Sequence, residues 1–153
     1  MKKTIIKESP IAELTLRKYE KPYKLNDREL VRKLCLSIGL LQPGDSRDVI
    51  VDVFYTLLHS KNPLSSKQVE QGVVSVRKGN KLALTGITPP NIRRQLRRLK
   101  GLLVIERIGG TYRIAENSSL NDLFEDKIEK FYLPAIISRI KEYCEAIEKE
   151  RKK

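Results

Sequence analysis

The sequence predicts a mainly α-helical fold that carries one small β-hairpin. In several stretches, apolar residues recur three or four positions apart and follow a residue that can cap a helix. Later in the chain, two β-rich runs, 102–108 and 111–115, are separated by Gly109-Gly110, a pair that favours a two-residue primed turn. Because 153 residues can bury one good core, we expect one domain with an appended helical segment.

Residues 1–25 are interpreted as a basic N-terminal extension. They mix Lys and Glu with short apolar pairs, and 14–16, Leu-Thr-Leu, are a possible short strand. The basic side chains could lie against phosphates as an arm, but a solvated, partly ordered segment is the favoured interpretation. These basic residues are Lys2, Lys3, Lys7, Arg17, Lys18, Lys21 and Lys24.

The first predicted helix begins after Asn26. Asn26 and Glu29 have the spacing of a capping-box variant, and Gly39 is expected to end the helix. Its apolar positions are Leu30, Leu34 and Ile38.

Two further helices are predicted after the turn at 42–45. The second is capped by Asp45 or Ser46, and its broad apolar side marks it as a core helix. The third is capped by Ser65 or Ser66, with Gln68 at capping-box spacing from Ser65, and runs to about residue 76. The apolar residues of the second helix are Ile50, Val53, Phe54, Leu57 and Leu58.

The fourth predicted helix, 88–100, carries most of the functional argument. Thr88 is a suitable N-cap, and Pro89 suits the first helical position because the missing N–H is not needed there. Ile92, Leu96, Leu99 and Leu103 recur at helical spacing, which places Arg93, Arg94, Arg97 and Arg98 on the solvent-facing side.

Positive charge is concentrated around this helix. The chain has a net charge of +12, and residues 77–113 hold ten Lys or Arg against the single acid Glu106. Residues 116–153, in contrast, are nearly balanced. This distribution favours an anionic partner, nucleic acid first, over a uniformly solvated charged surface.

The order of helix, helix, capped helix, basic helix, Gly-Gly hairpin and long helix resembles winged helix-turn-helix transcriptional regulators of the arsenic-resistance and multiple-antibiotic-resistance repressor type. The resemblance covers about residues 46–116, and its most specific part is NIRRQLRRL at 91–99 with the following hairpin. It implies a winged helix-turn-helix domain at 26–116, with 88–100 as recognition helix and 103–115 as wing. Two features depart from the family: Gly101 comes early after Leu99, and the 77–86 connection is long.

By this resemblance, Ile92, Leu96 and Leu99 occupy buried positions, whereas Pro90, Asn91, Arg93 and Arg94 occupy groove-facing ones. Arg can bond guanine and Asn can bond adenine in the major groove, so Arg93, Arg94 and Asn91 are the expected base-reading residues. Arg97, Arg98 and Lys100 are expected at the phosphates, and Arg107 and Arg113 at the wing. The predicted DNA contacts are Thr88, Pro90, Asn91, Arg93, Arg94, Arg97, Arg98, Lys100, Arg107 and Arg113.

Residues 117–153 are predicted to be a helical dimerisation segment. Ser119 and Asp122 have capping-box spacing, and Pro134 either kinks this helix or starts a second one. The apolar side could fold back on the domain, but its length and alternating charges favour pairing between two chains. The predicted dimer contacts are Leu120, Phe124, Ile128, Phe131, Ile136, Ile140, Tyr143 and Ile147.

The remaining chemistry-bearing residues predict no catalysis, metal or cofactor. Cys35 and Cys144 are interpreted as core thiols, and His59 has no second ligand nearby. Asp45, Asp48 and Asp52 are attributed to capping and solvation, and Tyr112 to strand packing rather than base stacking. We therefore expect a non-enzymatic protein.

The expected partners are double-stranded DNA and a second copy of the chain, in a prokaryotic cytoplasm, without a membrane-spanning segment. Two alternatives stay open: a winged-helix protein that binds structured RNA, and a protein-interaction module whose affinity for nucleic acid is incidental. A small-molecule effector, if one exists, would fit between the C-terminal helices and the core.

Overall fold

The computed structural model describes residues 6–153 and confirms a mainly helical fold with a small two-stranded hairpin. Lys2 and Lys3 lie outside the described residues. The elements follow in the order α1 Asp27–Ser37, α2 Val49–Leu58, α3 Ser66–Gly79, α4 Pro89–Gly101, β1 Ile105–Ile108, β2 Thr111–Ile114, a 3-10 turn Ala115–Asn117, α5 Leu120–Leu123, a π-helical stretch Phe124–Tyr132, and α6 Leu133–Arg151.

Helix α2 is the centre of the core. It packs against α1, α3, α4 and β2, and all of its residues from Val49 to Phe54 are buried. Burial of this many Val, Ile and Phe side chains is the main favourable term in the stability of the fold. The largest fully buried apolar side chains are Phe54, Ile50, Ile92, Leu96, Leu99, Leu123 and Ile128.

Four of the predicted helix starts are confirmed at their caps. The side chains of Asn26, Ser65, Thr88 and Ser119 each accept a hydrogen bond from the backbone N–H three residues later. Ser65 and Gln68 make the full reciprocal capping box. The local sequence therefore determines where these helices begin.

The start of α2 and the buried side of α1 differ from the prediction. Neither Asp45 nor Ser46 caps α2, which begins at Val49 after Asp48 without a side-chain cap. In α1, Leu30 is exposed, and the buried apolar side runs instead through Val31 and Cys35. Two of the predicted positions do face the core, since Ile38 is buried and Leu34 packs against it, whereas Arg28 lies on the buried side in place of Leu30.

The hairpin is shorter than the sequence predicts. Helix α4 continues through Gly101, and Leu103 takes the left-handed conformation, φ 65°, so residues 102–104 reverse the chain and are not a strand. Gly109 has φ 61° in the turn between β1 and β2, as a primed turn requires. A feature that the sequence did not reveal is the antiparallel bridge between Leu64 and Tyr112, whose N···O distances are 2.9 and 2.7 Å.

The C-terminal helices are continuous through Pro134. Tyr132 and Leu133 both have α-helical backbone angles, so the helix is not split there. The N–H of Leu133 bonds to the Ile128 carbonyl five residues earlier. Wider π-helical turns precede the proline, which has no N–H to donate, and the helix passes it without a break.

Part of the N-terminal extension packs on the domain instead of being solvated. Leu14 and Tyr19 pack against the core, and the N–H of Arg17 bonds to the Ser37 carbonyl at 2.8 Å. The Arg17 guanidinium also donates to the carbonyls of Leu36 and Leu41, at 2.8 and 3.2 Å. No strand forms at 14–16. Arg17 is therefore a structural residue and not part of a free basic arm.

In the part of the chain that the structure describes, no helix has the length and apolar character needed to cross a membrane.

Candidate nucleic-acid interface

Helix α4 has one side fixed in the core and the other covered by cations. Ile92, Leu96 and Leu99 are completely buried, as the spacing predicted. Thr88 caps the helix through the N–H of Asn91, at 3.3 Å, and Pro89 occupies the first helical position. Pro90 lies exposed in the first turn. The helix is thus anchored at a defined angle while its polar side faces outward.

Four cations on α4 are exposed and have no partner among the described side chains. Within residues 6–153, Arg93, Arg94, Arg97 and Lys100 form no side-chain hydrogen bond and no salt bridge. Arginine donors that no internal acceptor occupies are available to an external anion or to the acceptor edge of a base.

Asn91, a predicted base-reading residue, is occupied inside the protein. Its amide Nδ2 donates to the Gly86 carbonyl at 2.7 Å, and its Oδ1 accepts from Gln95 Nε2 at 2.9 Å. Reading an adenine uses both ends of the amide, so these internal bonds compete with the base contact, which stays a prediction. In the structure, Asn91 holds the loop before α4 against the start of the helix.

Arg98 is also held internally, although the sequence placed it with the free arginines. Its guanidinium donates to Gln95 Oε1 at 2.8 Å and to the Leu40 carbonyl. Burial and the nearby charge of Arg94 lower the pKa of Arg98. Arg98 therefore ties α4 to the turn after α1.

Arg94 and Arg98 border a cleft of about 680 Å³ between α4, the loop that precedes α2 and the loop that precedes α4. Asp45, Arg47 and Asp48, from the loop that precedes α2, also line the cleft. The sequence did not indicate this cleft, because the loop at 45–48 reaches α4 only through the tertiary fold. It adds Arg47 to the cations near α4.

The two arginines of the hairpin point to opposite faces. The strand register pairs Arg107 with Tyr112 and Glu106 with Arg113, and successive residues of a strand face opposite sides. Arg107 is exposed, with its guanidinium 5.7 Å from the Tyr112 ring, and Nε donates to the Gly109 carbonyl. Tyr112 itself is half-buried against the core, in keeping with the strand-packing prediction.

The sequence suggested that Glu106 is an isolated acid in a basic region, but the structure gives its carboxylate two partners. Its Oε1 lies 2.7 Å from Arg113 Nε and accepts the N–H of Glu116 at 3.0 Å. The hydrogen bond from that backbone N–H, followed by the one from Arg113, lowers the pKa of Glu106. Arg113 is thus partly neutralised, and Arg107 is the freer cation of the hairpin.

A buried ion network joins α1, α2 and α3, and sequence reasoning missed it. Asp52 is fully buried and contacts Arg28 Nε at 2.8 Å and an Arg77 terminal nitrogen at 2.7 Å. Asp48 contacts the same two arginines, at 3.0 Å each, and also Arg32 at 2.8 Å. These acids therefore neither cap α2 nor face solvent, which corrects the earlier interpretation.

The network is fully satisfied. In the described part of the chain, no buried side-chain nitrogen or oxygen lacks a hydrogen-bond partner. Burial works against ionisation of Asp48, but hydrogen bonds from Arg77 and Arg28 outweigh it and lower its pKa. Arg77, counted earlier with the free positive charge, belongs to this network and lies on α3. The available signal was Asp52 itself, an acid inside the apolar run VIVDVF at 49–54.

The predicted dimer contacts divide into two groups. Ile128 is buried in the core, and Leu120 and Phe124 pack against it, so these three side chains fold back on their own domain. Ile136 is half-buried. The other predicted contacts stay exposed: Phe131, Ile140, Tyr143 and Ile147.

The two cysteines also differ. Cys35 is buried, as predicted, and burial raises the pKa of its thiol to about 12. Cys144 is exposed on α6, so the prediction of a core thiol was wrong for it. The prediction failed because α6 extends beyond the core that its apolar side was expected to join.

Among the described residues, no side-chain cluster forms a metal site, and a cavity lies where an effector was expected. No group of three or more His, Cys, Asp or Glu side chains there could hold a metal ion. The His59 ring stacks on Tyr55, with ring centroids 4.0 Å apart, and its Nδ1 is 3.0 Å from the Tyr55 carbonyl oxygen. A cavity of about 230 Å³ lies between the core and the C-terminal helices, beside Phe54 and Phe124.

No protein-family model matches this chain, and no curated protein or solved structure matches it significantly.

Proposed function

We propose that the protein binds double-stranded DNA sequence-specifically as a homodimer and acts as a transcriptional regulator. One observation carries the proposal: Arg93, Arg94 and Arg97 are exposed, and no residue of 6–153 pairs with them, on a helix whose other side is fixed in the core. An α-helix fits the major groove, where such arginines can bond guanine edges or phosphates. On this proposal, the protein works in the cytoplasm of a prokaryotic cell.

The arrangement of elements around α4 supports a winged helix-turn-helix assignment. Helices α2, α3 and α4 follow in order, and the hairpin β1–β2 comes directly after the basic helix. The bridge from Leu64 to Tyr112 ties this hairpin, close to its turn, to the segment before α3. In the proposed complex, α4 enters the major groove and the hairpin tip, with Arg107, approaches the adjacent backbone.

The side-chain contacts refine the proposed roles on α4. Arg93 and Arg94 are assigned to base reading, because they are free and lie near the N-terminal end that a recognition helix inserts. Arg97 and Lys100 are assigned to phosphates. Asn91 and Arg98 are assigned to positioning, since their polar atoms already bond Gly86, Gln95 and Leu40.

The exposed apolar side of α6 supports the dimer. No residue of α6 is buried, and Ile140 and Ile147 are more than half exposed. A two-fold dimer would present two copies of α4 to one duplex and would favour a near-palindromic site with half-sites about one helical turn apart.

The decisive experiment compares duplex DNA selected by enrichment, random duplex DNA and duplex RNA at two salt concentrations, with the oligomeric state measured in the same buffers. We expect one DNA sequence to enrich and to bind a dimer about 10³-fold or more above random DNA. Tighter binding to RNA would move the function to structured RNA. Equal, salt-sensitive binding to heparin and to every DNA would instead support an acidic protein partner.

A further inference from the structure

The exposed side of α6 has the spacing of a paired helix. Leu133, Ile137, Ile140, Cys144 and Ile147 are separated alternately by four and three residues, the intervals of the a and d positions of a heptad repeat. Ile137, Ile140 and Ile147 are 41, 55 and 58 % exposed. With none of its residues buried, α6 leaves this repeat uncovered by the described part of its own chain.

We propose that α6 pairs antiparallel with α6 of a second copy of this chain, in one register. Ile137 lies opposite Ile147 of the partner subunit, and Ile140 lies opposite Cys144 of the partner subunit. This inference rests on the homodimer in the proposed function and adds its orientation and register. Charge selects this arrangement, and the position of α6 in the fold is consistent with it.

Charge complementarity selects the orientation. Lys141 and Glu148 both occupy the e position, which flanks the apolar repeat, and e positions face each other only when the two helices run antiparallel. In the proposed register, Lys141 faces Glu148 of the partner subunit, and the two-fold axis repeats that pair. A parallel pairing would instead set Lys141 against Ile136 and Glu148 against Tyr143, with no ion pair.

The two charges are available for this pairing. In residues 6–153, Lys141 makes no salt bridge, and Glu148 is paired only with Arg151, one turn away on the exposed surface. Exposed pairs of this kind are weak and exchange readily, so Glu148 can turn to a better-placed partner. Both side chains therefore remain free to set the orientation of the helix pair.

The place of α6 in the fold is consistent with full antiparallel overlap. Its 19 residues span about 28 Å. An antiparallel pair that overlaps from Leu133 to Arg151 uses this whole length. The overlap ends at Leu133, and the chain joins its own core on the N-terminal side of that residue, at the buried Ile128. The two domains then lie at opposite ends of the pair.

Disulfide formation under oxidised glutathione tests the register in the full chain. Ile140→Cys, with the native Cys144 kept, should give a covalent dimer, because each new thiol faces Cys144 of the partner subunit. The matched control, Ile140→Cys with Cys144→Ala, should give almost none. Cys35 does not interfere, since it is buried and its pKa is raised to about 12.

Charge exchange tests the orientation without cysteine chemistry. Lys141→Glu and Glu148→Lys should each raise the dimer Kd about five-fold, because each replaces two attractive pairs by two repulsive ones. The double variant should return to within about two-fold of the native Kd. Sedimentation over a concentration series provides the measurement.

Several outcomes would overturn the inference. Efficient crosslinking of the native chain through Cys144, together with crosslinking of the Ile140→Cys, Cys144→Ala control, would show a parallel pair. A double charge variant as weak as the single variants would exclude the Lys141–Glu148 contact. A native chain that is monomeric at every concentration would refute the pairing of the two α6 helices. DNA binding, measured on the same samples, tests the DNA-binding proposal separately.

Discussion

Two groups of arginines in this chain have opposite surroundings. Arg28 and Arg77 are buried between α1, α2 and α3, and both are bonded to the carboxylates of Asp48 and Asp52. The arginines Arg93, Arg94 and Arg97 lie exposed on α4 without an internal acid. The same side chain therefore acts as a structural tie in one region and as a free cation in the other.

The difference comes from the placement of the acids. The two carboxylates of the network lie about one helical turn apart, Asp52 on α2 and Asp48 just before it, and both are buried where an unpaired charge would be costly. No acid of the described chain salt-bridges the exposed side of α4, although Asp45 lies in the neighbouring cleft. The net charge of the chain does not distinguish the buried arginines from the exposed ones, whereas the bonding partners of each guanidinium do. The following predictions test this separation.

The largest effect is expected for Asp52→Asn. The change leaves Arg28 and Arg77 buried beside a neutral amide, and loss of one partner of a buried ion pair costs about 3–5 kcal/mol. We expect denaturant unfolding to show this loss, with a smaller effect on the binding of any remaining folded protein to DNA. Asp126→Asn, on the exposed side of the π-helical stretch, is the control and should change stability by less than about 0.5 kcal/mol.

Arg93→Ala should have the reverse profile. Because this side chain is exposed and unpaired, the free energy of unfolding should stay within about 0.5 kcal/mol of native. Binding to the selected DNA should weaken by about 1–3 kcal/mol, with less change for random DNA. Lys149→Ala, remote on α6, is the control in both the unfolding and the DNA titrations. Native-like discrimination by Arg93→Ala would contradict the base-reading role.

Arg98 tests the boundary between the two groups. Arg98→Ala should lower stability by about 1–2 kcal/mol, since the Leu40 carbonyl and Gln95 lose a charged donor. Arg97→Ala should leave stability unchanged and flatten the salt dependence of DNA binding by about one unit. If both variants kept native stability, Arg98 would belong with the free cations instead.

The smallest expected effect is on the pH dependence of the free energy of unfolding. The folded-state pKa of Asp48 lies below the ordinary value of 3.8, so its ionised form adds stability above that value. This contribution is lost as the pH falls from about 3.8 through the lower, folded-state pKa. Unfolding free energy measured from neutral pH down to this range should therefore fall less steeply in Asp48→Asn than in the native chain. Parallel pH profiles would contradict the ionised pair.

Local signals in the sequence predicted the caps, the buried side of α4 and the hairpin turn. Ser65 with Gln68, Thr88 with Pro89 and Gly109 all act within a few residues, so their effect is readable without the fold. The winged helix-turn-helix assignment, DNA binding and the dimer stay predictions.

What could not be predicted depends on contacts between distant segments. Asp52 meets Arg77 across 25 positions, and Arg98 meets Leu40 across 58. Neither contact leaves a local pattern. Asn91 was assigned to DNA from its place at the start of the helix and from the ability of asparagine to bond adenine, whereas its bond to the Gly86 carbonyl depended on the path of the preceding loop. The exposure of Cys144 likewise depended on how far α6 extends from the core.

The turn after α1 bears on how this chain could be shortened for expression or grafted onto another protein. The Arg17 guanidinium, from the N-terminal side, donates hydrogen bonds to the carbonyls of Leu36 and Leu41. The Arg98 guanidinium, from α4, donates to the carbonyl of Leu40. A fragment that starts at Asn26, the first helix cap, would lose the Arg17 bonds and the packing of Leu14. A fragment that keeps all of these contacts therefore begins before Leu14, well ahead of the first helix.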